Sequence, residues 1–374
     1  MQYQEEIRLK IESCPDCWFR NISPNSFNRQ SYLTSLLQRL ARYLGIENWE
    51  DLVFITNASH GVNAVLRSIG EEIYDQQCGG AACKLLYLST AYPMVKNTMA
   101  FLVSTFSNEQ LVEVNVTTPM LSNNTLLLQA IEQAIQMEIN NNNGKNPIYL
   151  ASFSHITSTP AVILPVAQII ALCKKYGILT LIDGVNVSTL DPDFYLSNGH
   201  KWLYSSRGSA ILYVKKDYQN LIFPVCISNL GEGDTPFQKQ FLYQGTNDDS
   251  GWLSMDGALN FREQWGDTAI MQYMHNLAVD GGYTLANMWD TNVMTTNNDT
   301  IGALVNVQLP TQNSTEVTML QTTLFDNYFT YMVVFQFQNV WYTRLSAQIF
   351  LELSDFVWLG QTCLNILQKM RQPK

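Results

Sequence analysis

Hydrophobic residues in the first two thirds of the chain form short, nearly continuous runs separated by longer amphipathic stretches. Continuous runs are typical of strands that are buried on both faces. The predicted strands are Leu52–Thr56, Leu85–Ser89, Leu111–Val116, Ile148–Ser152, Ile178–Ile182, Phe194–Ser197 and Ala210–Val214. The helical stretches between them include Gly61–Ile69, Leu126–Ile139 and Pro165–Lys175. This alternation predicts an α/β domain with a mostly parallel sheet and helices on both sides.

The pattern changes after Gly251. Two long helical patterns are followed by a polar loop, two strand-like runs and a closing helix, which together predict a smaller α+β domain. These elements are Leu253–Trp265, Ala269–Trp289, Thr291–Thr300, Ala303–Leu309, Tyr331–Gln338 and Ser354–Met370. The predicted organisation is a helical segment over residues 1–45 that packs with the small domain, a large domain over 46–252 and the small domain over 253–374.

Composition narrows the class of protein. Only 14% of the 374 residues are charged and the net charge is −10, so the surface repels nucleic acid, and no basic cluster offsets this. The chain starts without the apolar stretch of a secretory signal, and no apolar run approaches the roughly 18 residues of a membrane span. We therefore expect a cytoplasmic protein that binds neither nucleic acid nor membranes.

The seven cysteines are expected to be thiols in a reducing compartment. Cys14 and Cys17 have the spacing of a metal-ligand or redox pair. No second pair with comparable spacing follows, and no histidine lies near them in sequence. A zinc or redox role is therefore disfavoured, and no metal site is expected.

Candidate chemistry lies at the ends of predicted strands, where open α/β sheets bind their ligands. Asp183 ends a run of hydrophobic residues, where a carboxylate is costly without a cationic partner. Lys201 ends another strand beside His200, and a lysine in a partly apolar pocket can form an imine with a carbonyl. A helix cap and a solvated lysine are the simpler interpretations of each residue alone.

A third feature is the run 57–63, whose small and hydroxyl residues begin a helix after the first strand. Free backbone N–H groups at such a position can bind a phosphate, although an ordinary N-cap explains the run by itself. Acid, amine and phosphate site together match pyridoxal phosphate (PLP). Its pyridine nitrogen needs a carboxylate and its aldehyde needs a lysine.

The same segments resemble class V aminotransferase-fold enzymes, which are PLP enzymes of fold type I. Within them the match is closest to the branch of isopenicillin N epimerase-like proteins, L-cysteine desulfhydrases and hercynylcysteine sulfoxide lyases. The matching segments are Asn57–Asn63, Thr90–Pro93, Phe153–Ser158, Asp183–Asn186, Ser197–Trp202, Arg207–Ala210, Gln244–Asp248 and Arg344–Ile349. The resemblance implies a mostly parallel seven-stranded sheet in the large domain and a smaller α+β C-terminal domain.

The resemblance also implies roles for individual residues. Lys201 carries the cofactor and acts as the base at Cα, Asp183 pairs with the pyridine nitrogen, and Arg344 binds the substrate carboxylate. Around the ring and the phosphate it implies Asn186 near the ring hydroxyl, Tyr92 stacked on the ring, His155 in contact with the cofactor, and Ser59, the His60 backbone, Asn198 and His200 on the phosphate, joined by Thr246 of the partner subunit. The expected active unit is thus a homodimer with shared active sites.

Several positions depart from the family pattern. Ser154 replaces an aspartate, Asn186 is shorter than the usual glutamine, and the family usually has a Gly-Ser-rich turn ahead of the point where this chain starts. The expected reaction is β-elimination from cysteine, a cysteine S-conjugate or a sulfoxide, which releases pyruvate, ammonia and a sulfur species. The alternatives are an epimerase, a desulfurase, which is disfavoured because Cys363 alone follows Cys226, and an inactive relative that acts as an interaction protein.

Overall fold

The computed structural model describes residues 2–20, 28–77, 83–105, 110–184, 190–229 and 233–372. The chain divides into two compact units. The first contains Met1–Val114, Ile131–His155 and Pro165–Gln264, and the second contains Asn115–Ala130, Ile156–Leu164 and Trp265–Lys374. This division differs from the predicted boundaries, since the first unit extends to residue 264 and the second takes two pieces from the middle of the chain.

The helices and strands of both units are numbered in chain order. The helices are α1 (Gln2–Ser13), α2 (Pro15–Arg20), α3 (Arg29–Leu44), α4 (Ala58–Gln77), α5 (Pro93–Thr105), α6 (Thr118–Ser122), α7 (Asn124–Asn141), α8 (Val166–Lys175), α9 (Gly199–Trp202), α10 (Pro236–Phe241), α11 (Ser250–Trp265), α12 (Asp267–Trp289), α13 (Ser314–Tyr328) and α14 (Leu353–Arg371). The strands are β1 (Leu52–Ile55), β2 (Lys84–Leu88), β3 (Gln110–Val114), β4 (Ile148–Ser154), β5 (Leu179–Asp183), β6 (Phe194–Asn198), β7 (Ala210–Val214), β8 (Leu304–Gln308), β9 (Val333–Phe337) and β10 (Val340–Ser346).

Within the described residues of the first unit, seven strands form one sheet in the order β1-β7-β6-β5-β4-β2-β3. The pairs from β3 to β6 are parallel, and β7 runs antiparallel to both of its neighbours. Most positions of the central strands are buried, which explains their continuous hydrophobic runs. The predicted mostly parallel sheet is confirmed. Its topology places the carboxyl ends of β4, β5 and β6 along one edge.

The helix α4 approaches this sheet closely at its first turn. A Cβ atom on Gly61 would lie 2.7 Å from Ile55 Cδ1 and 3.2 Å from Leu196 Cδ2. Only a glycine fits at this distance without moving its neighbours. The N-terminus of α4 is therefore held against the ends of β1 and β6.

The N-terminal helices belong to the first unit by their contacts. Tyr3 of α1 donates a hydrogen bond to Asp256 of α11 at 2.7 Å, and Arg39 of α3 pairs with Glu263 at 2.7 Å. The ring of Tyr3 also lies where a Cβ on Gly257 would be, 2.7 Å from that position. These contacts are with α11, whose residues 256–263 belong to the first compact unit and also fall within the range 253–374 predicted for the small domain.

In the second unit, β8, β10 and β9 form an antiparallel sheet in that order. Its core is built from buried residues of the sheet, such as Val305 and Leu345, and of α12 and α14. Trp289 of α12 donates a hydrogen bond to the Gly360 carbonyl of α14 at 3.1 Å. The sequence analysis predicted β8, β9 and α14 but not β10, the central strand that carries Arg344.

Two further features concern the predicted partners. Among the described residues, no helix combines the length and hydrophobicity needed to cross a membrane, and no group of three or more His, Cys, Asp or Glu side chains could hold a metal ion.

Cys14 and Cys17 are joined in a disulfide, so the expectation that they are thiols is wrong for this pair. Cys173, Cys226 and Cys363 are free.

Candidate active site

The carboxyl ends of β5 and β6 bring Asp183 and Lys201 together. Asp183 is the last residue of β5, and Lys201 lies in α9, which follows β6 directly. The two strands are parallel neighbours, so both residues lie at the same edge of the sheet. Lys201 is close enough for its ammonium group to affect the ionisation of Asp183.

The carboxyl group of Asp183 is poorly solvated. Burial raises its pKa from an ordinary value of 3.8 to about 6, and the nearby Lys201 ammonium opposes part of that rise. The backbone around it is fixed, because the Asp183 carbonyl accepts a hydrogen bond from His155 N–H at 2.7 Å. An ionised Asp183 therefore needs a second cationic partner at this position.

The next residue, Gly184, has no room for a side chain. A Cβ there would lie 2.3 Å from the Tyr195 hydroxyl oxygen and 2.9 Å from His155 Cβ. Its N–H donates to the Leu196 carbonyl at 3.0 Å, and its own carbonyl accepts from the Ser197 hydroxyl at 2.5 Å. The predicted Asp-Gly pair thus joins β5 tightly to β6.

The turn that carries Lys201 is held by the residue after it. The indole N–H of Trp202 donates to the Ser197 hydroxyl at 2.7 Å, which continues the hydrogen-bond chain to the Gly184 carbonyl. The Trp202 ring stacks on Tyr43 with a centroid distance of 6.1 Å. Lys201 itself is solvent-exposed, so its amine is open to a ligand while its backbone is restrained.

Arg262 of α11 restrains the other side of Trp202. The guanidinium donates to the Trp202 carbonyl at 2.6 Å and to the Tyr43 hydroxyl at 2.9 Å, and it lies 5.6 Å from the indole centroid. Arg262 is 3% exposed. Nothing near Arg262 in sequence indicates this role, so the residue is absent from the predicted site.

The N-terminus of α4 is capped by two asparagines. Asn57 accepts a hydrogen bond from His60 N–H at 3.0 Å, and Asn198 accepts one from Ala58 N–H at 2.9 Å. The Asn198 carboxamide therefore orients α4, and the His60 N–H that was predicted to bind phosphate is donated to Asn57. Ser59 is half-buried at the same turn. Direct contacts of these residues with a phosphate remain predictions.

His200 lies between β6 and β7. Its Nδ1 is 2.9 Å from the Ser209 carbonyl oxygen, so Nδ1 carries the proton that makes this bond. Burial lowers its pKa, the Ser209 bond opposes this, and the charges of Lys201 and Arg207 lower it further. A neutral His200 has a lone pair on Nε2. Binding of a phosphate there requires uptake of a proton.

Two buried polar atoms without a hydrogen-bond partner among the described residues follow the ends of β4 and β2. They are Nδ1 of His155 and the hydroxyl of Thr90. Burial lowers the pKa of His155. Tyr92, two residues after Thr90, is 46% exposed although it is aromatic. Unpartnered polar atoms and an exposed ring near one sheet edge are features of a ligand site.

The remaining predicted residues are placed separately. Asn186 lies outside the described residues. Thr246 is exposed in the segment between α10 and α11, with its hydroxyl 3.5 Å from that of Tyr243. Arg344 belongs to the second unit, where it donates to the carbonyl and the hydroxyl of Ser158 at 3.0 and 3.1 Å. Its role in binding substrate remains a prediction.

The residues around Asp183 fit PLP. A pyridine nitrogen that is protonated supplies the cationic partner that the desolvated carboxylate needs. The amine of Lys201 is exposed at the adjacent strand end, and the N-terminus of α4 faces the same edge of the sheet through its bond to Asn198. The buried Nδ1 of His155, which has no hydrogen-bond partner among the residues that the structure describes, is available to a polar group of the ring.

Comparison with known proteins identifies the family. The model of the class V aminotransferases matches residues 28–323, so the chain belongs to this family. It is 26% identical to the hercynylcysteine sulfoxide lyase of Schizosaccharomyces pombe, over 96% of this chain and 89% of that protein. It is also 26% identical to the L-cysteine desulfhydrase of Arabidopsis thaliana, over 78% of this chain but only 64% of that protein's length.

Solved structures show the same fold. The enzyme C-DES, described as a cystine C–S lyase, has been solved as a variant with glycine covalently linked to its PLP cofactor. That structure has a TM-score of 0.71 to this chain at 16% identity, over 96% of this chain and 92% of C-DES. The family and the fold that the sequence predicted are confirmed.

The raised pKa of Asp183 predicts a pH-dependent stability difference in protein without cofactor. Because the folded-state pKa lies above the ordinary value, the charged group destabilises the fold above pH 6, and this penalty disappears as the pH falls towards 4. Asp183→Asn removes the penalty and should stabilise the fold by up to about 3 kcal/mol at pH 8. Urea unfolding at pH 5, 6, 7 and 8 measures the difference, which should narrow below pH 6.

Asp191→Asn is the matched control for this measurement. Lys174 lowers the pKa of the exposed Asp191, so removing that charge should not stabilise the protein. A stability gain of Asp183→Asn that is absent, or equal at all pH values, would contradict the desolvated carboxylate.

The contacts of Arg262 predict an effect on both stability and turnover. Arg262→Met keeps the length of the side chain but removes the bonds to Trp202 and Tyr43, at a cost of about 1.5–3 kcal/mol. Because Trp202 restrains the Lys201 turn, kcat should fall at least tenfold with a smaller change in KM. Urea unfolding and steady-state kinetics at a temperature where the variant is folded separate the two effects. An unchanged kcat would assign Arg262 to stability alone.

Proposed function

We propose that the protein is a PLP-dependent carbon–sulfur lyase that acts on cysteine, a cysteine S-conjugate or a cysteine sulfoxide. The observation that carries this proposal is the pair of Lys201 and the desolvated Asp183 at neighbouring strand ends. Membership of the class V aminotransferases and the names of the similar lyase and desulfhydrase support it. A cytoplasmic location is part of the same proposal.

Each residue has a distinct task in this reaction. PLP, when bound, withdraws electrons from Cα of the amino acid. Asp183 keeps the ring nitrogen protonated, since its own charge is otherwise poorly compensated. Lys201 holds the cofactor and takes the proton from Cα, and the sulfur group then leaves from Cβ. Arg344 binds the substrate carboxylate through the two-pronged geometry of its guanidinium.

The two buried free thiols favour a lyase over a desulfurase, whereas the free thiol of Cys226 is exposed. A desulfurase that takes up sulfur as a persulfide needs a reactive, accessible cysteine. Burial raises the pKa of Cys173 and of Cys363 to about 12, and Cys363 lies inside α14. Such buried, protonated thiols are poor nucleophiles. Sulfur is therefore proposed to leave the enzyme as a small molecule.

A substrate panel tests the proposal. Purified protein supplied with PLP should show a visible absorbance band. It should release equal amounts of pyruvate and ammonia from at least one of cysteine, cysteine S-conjugates and cysteine sulfoxides. Lys201→Ala should lose this activity by several orders of magnitude, because no other group is proposed to move the Cα proton. Borohydride reduction followed by peptide mapping should place the cofactor on Lys201.

Three results would contradict the proposal. A protein without a cofactor band is the inactive relative considered above, and cofactor attached to another lysine removes the assignment of Lys201. Racemised substrate without pyruvate would favour an epimerase.

We also propose that the active unit is a homodimer with shared sites. Thr246 is exposed in a polar loop next to Gly245, which has a φ of 108° and no atom within 4 Å of the position that a Cβ would take. The family resemblance gives this threonine to the cofactor phosphate of the partner subunit. In a two-fold dimer the exchange is reciprocal, so each site contains Lys201 of one chain and Thr246 of the partner subunit.

Mixed dimers test this sharing. One hydrogen bond to a charged phosphate is worth about 1.5–3 kcal/mol, so Thr246→Ala should weaken cofactor retention by roughly 10- to 100-fold. A heterodimer of a Lys201→Ala chain and a Thr246→Ala chain contains one doubly impaired site and one intact site. Its activity at limiting PLP should therefore exceed that of either parent. An active monomer in sedimentation, or a mixture no better than its parents, would contradict sharing.

A further inference from the structure

The disulfide between Cys14 and Cys17 lies at the junction of two helices. Cys14 stands between α1 and α2, and Cys17 is inside α2, which begins at Pro15. Both cysteines are half-buried, so an external thiol can reach them, whereas Cys173 and Cys363 are fully enclosed. Among the described residues the pair is not part of any group able to hold a metal. A disulfide that an external thiol can reach is open to thiol–disulfide exchange.

The residue after this pair reaches into the buried interior of the first unit. Trp18 is completely buried, and its indole N–H donates to the Asp249 carboxylate at 3.0 Å. Its backbone N–H donates to the Cys14 carbonyl at 3.2 Å, which ties Trp18 to both ends of the disulfide loop. The position of the indole therefore depends on the Cys14–Cys17 junction.

Asp249 also forms a buried ion pair that closes a loop. Arg29 donates to its two carboxylate oxygens at 2.6 and 3.1 Å and to the Leu242 carbonyl at 2.5 Å. Leu242 and Asp249 flank residues 243–248, which we call the 243–248 loop and which contains Thr246. Arg29 and Asp249 are each 2% exposed. A buried ion pair is stable only when its remaining hydrogen bonds are made, and Trp18 makes one of them.

We propose that Cys14–Cys17 is a thiol–disulfide exchange site for a dithiol reductant, and that its redox state is transmitted through Trp18 and Asp249 to the 243–248 loop. With the disulfide closed, Trp18 is held on Asp249 and the loop is fixed. With it open, the junction gains freedom, the indole bond weakens and the loop opens more often.

The exchange is balanced. A thiolate of the reductant attacks one sulfur of the pair, the Cys14–Cys17 bond breaks and a mixed disulfide forms. The second thiol of the reductant then displaces the protein sulfur. The reductant is oxidised to its disulfide, and Cys14 and Cys17 gain two electrons and two protons. In the reverse reaction the oxidised form of the reductant accepts the two electrons and two protons, and the two-residue spacing lets the second cysteine resolve the mixed disulfide.

The first experiment measures the site itself. The full-length protein is incubated natively in buffers of reduced and oxidised dithiothreitol, quenched in acid, alkylated after denaturation and mapped by mass spectrometry. Cys14 and Cys17 should become alkylated together, in one two-electron transition. Cys226→Ser should not alter it. A pair that is never oxidised, or that stays closed in excess reduced dithiothreitol, overturns the proposal.

The second experiment measures transmission by hydrogen exchange. Amides of the 243–248 loop should exchange at least fivefold faster in the reduced protein, while those of β5 and β6 keep their rates. Trp18→Phe lacks the indole N–H but keeps the cysteines. It should show fast loop exchange in both redox states, and its disulfide should become easier to reduce by the same factor by which the loop responds, because coupling between two sites is reciprocal. Equal loop exchange in the oxidised and reduced wild-type protein overturns the transmission, and so does a redox effect that survives in Trp18→Phe.

The variant Cys14→Ser/Cys17→Ser provides an independent check. Its loop should exchange at the rate of the reduced wild-type protein, with or without dithiothreitol. If this variant does not fold, the comparison of oxidised and reduced wild-type protein still decides the proposal.

Discussion

The desolvated carboxylate of Asp183 is the constraint on which the candidate site depends. It ends a strand in the middle of the sheet, where hydrophobic neighbours keep water away and raise its pKa to about 6. Such a group is tolerated only where nearby charge compensates it, and Lys201 does so in part. A protonated ring nitrogen would supply the rest. The desolvation that destabilises the ionised Asp183 in the protein without cofactor would therefore strengthen its interaction with a protonated ring nitrogen when PLP is bound.

The positions of Asp183 and Lys201 are fixed by contacts of the surrounding backbone rather than by the Asp183 carboxylate. Gly184 allows β5 and β6 to approach closely, and the Ser197 hydroxyl links its carbonyl to the indole of Trp202. Trp202 is in turn held by Arg262, which belongs to a helix about 60 residues further along the chain. The turn that presents Lys201 is thus fixed by the contacts of Trp202 with Ser197, Tyr43 and Arg262, while Lys201 itself stays exposed.

The sequence predicted those strands of the fold that are buried on both faces. Strands such as β5 and β6 are buried on both faces, and a continuous hydrophobic run identifies them without knowledge of their partners. The strand β10 is missed because the polar residues Thr343 and Arg344 interrupt its hydrophobic run. Asp183 and Lys201 were found because ionisable residues stand out at the ends of such runs.

The positioning residues could not be predicted in the same way. Asn198 caps α4 across 140 positions of sequence, and a capping asparagine looks the same as one that binds phosphate until the fold is known. Arg262 likewise has no local signal. Both depend on pairs of polar atoms that only the tertiary structure brings together.

The position of the N-terminal helices also depends on polar contacts that the sequence pattern does not show. Tyr3 bonds to Asp256 of α11, and Trp18 bonds to Asp249, the residue before α11. Hydrophobic periodicity carries no information about such bonds, because each depends on the direction of one donor. Polar contacts also differ from hydrophobic ones because each of them can be lost when a single donor moves. Loss of the indole donor removes one hydrogen bond from the buried Arg29–Asp249 pair, so in the proposed switch a change at the Cys14–Cys17 junction acts on Asp249 out of proportion to the surface it moves.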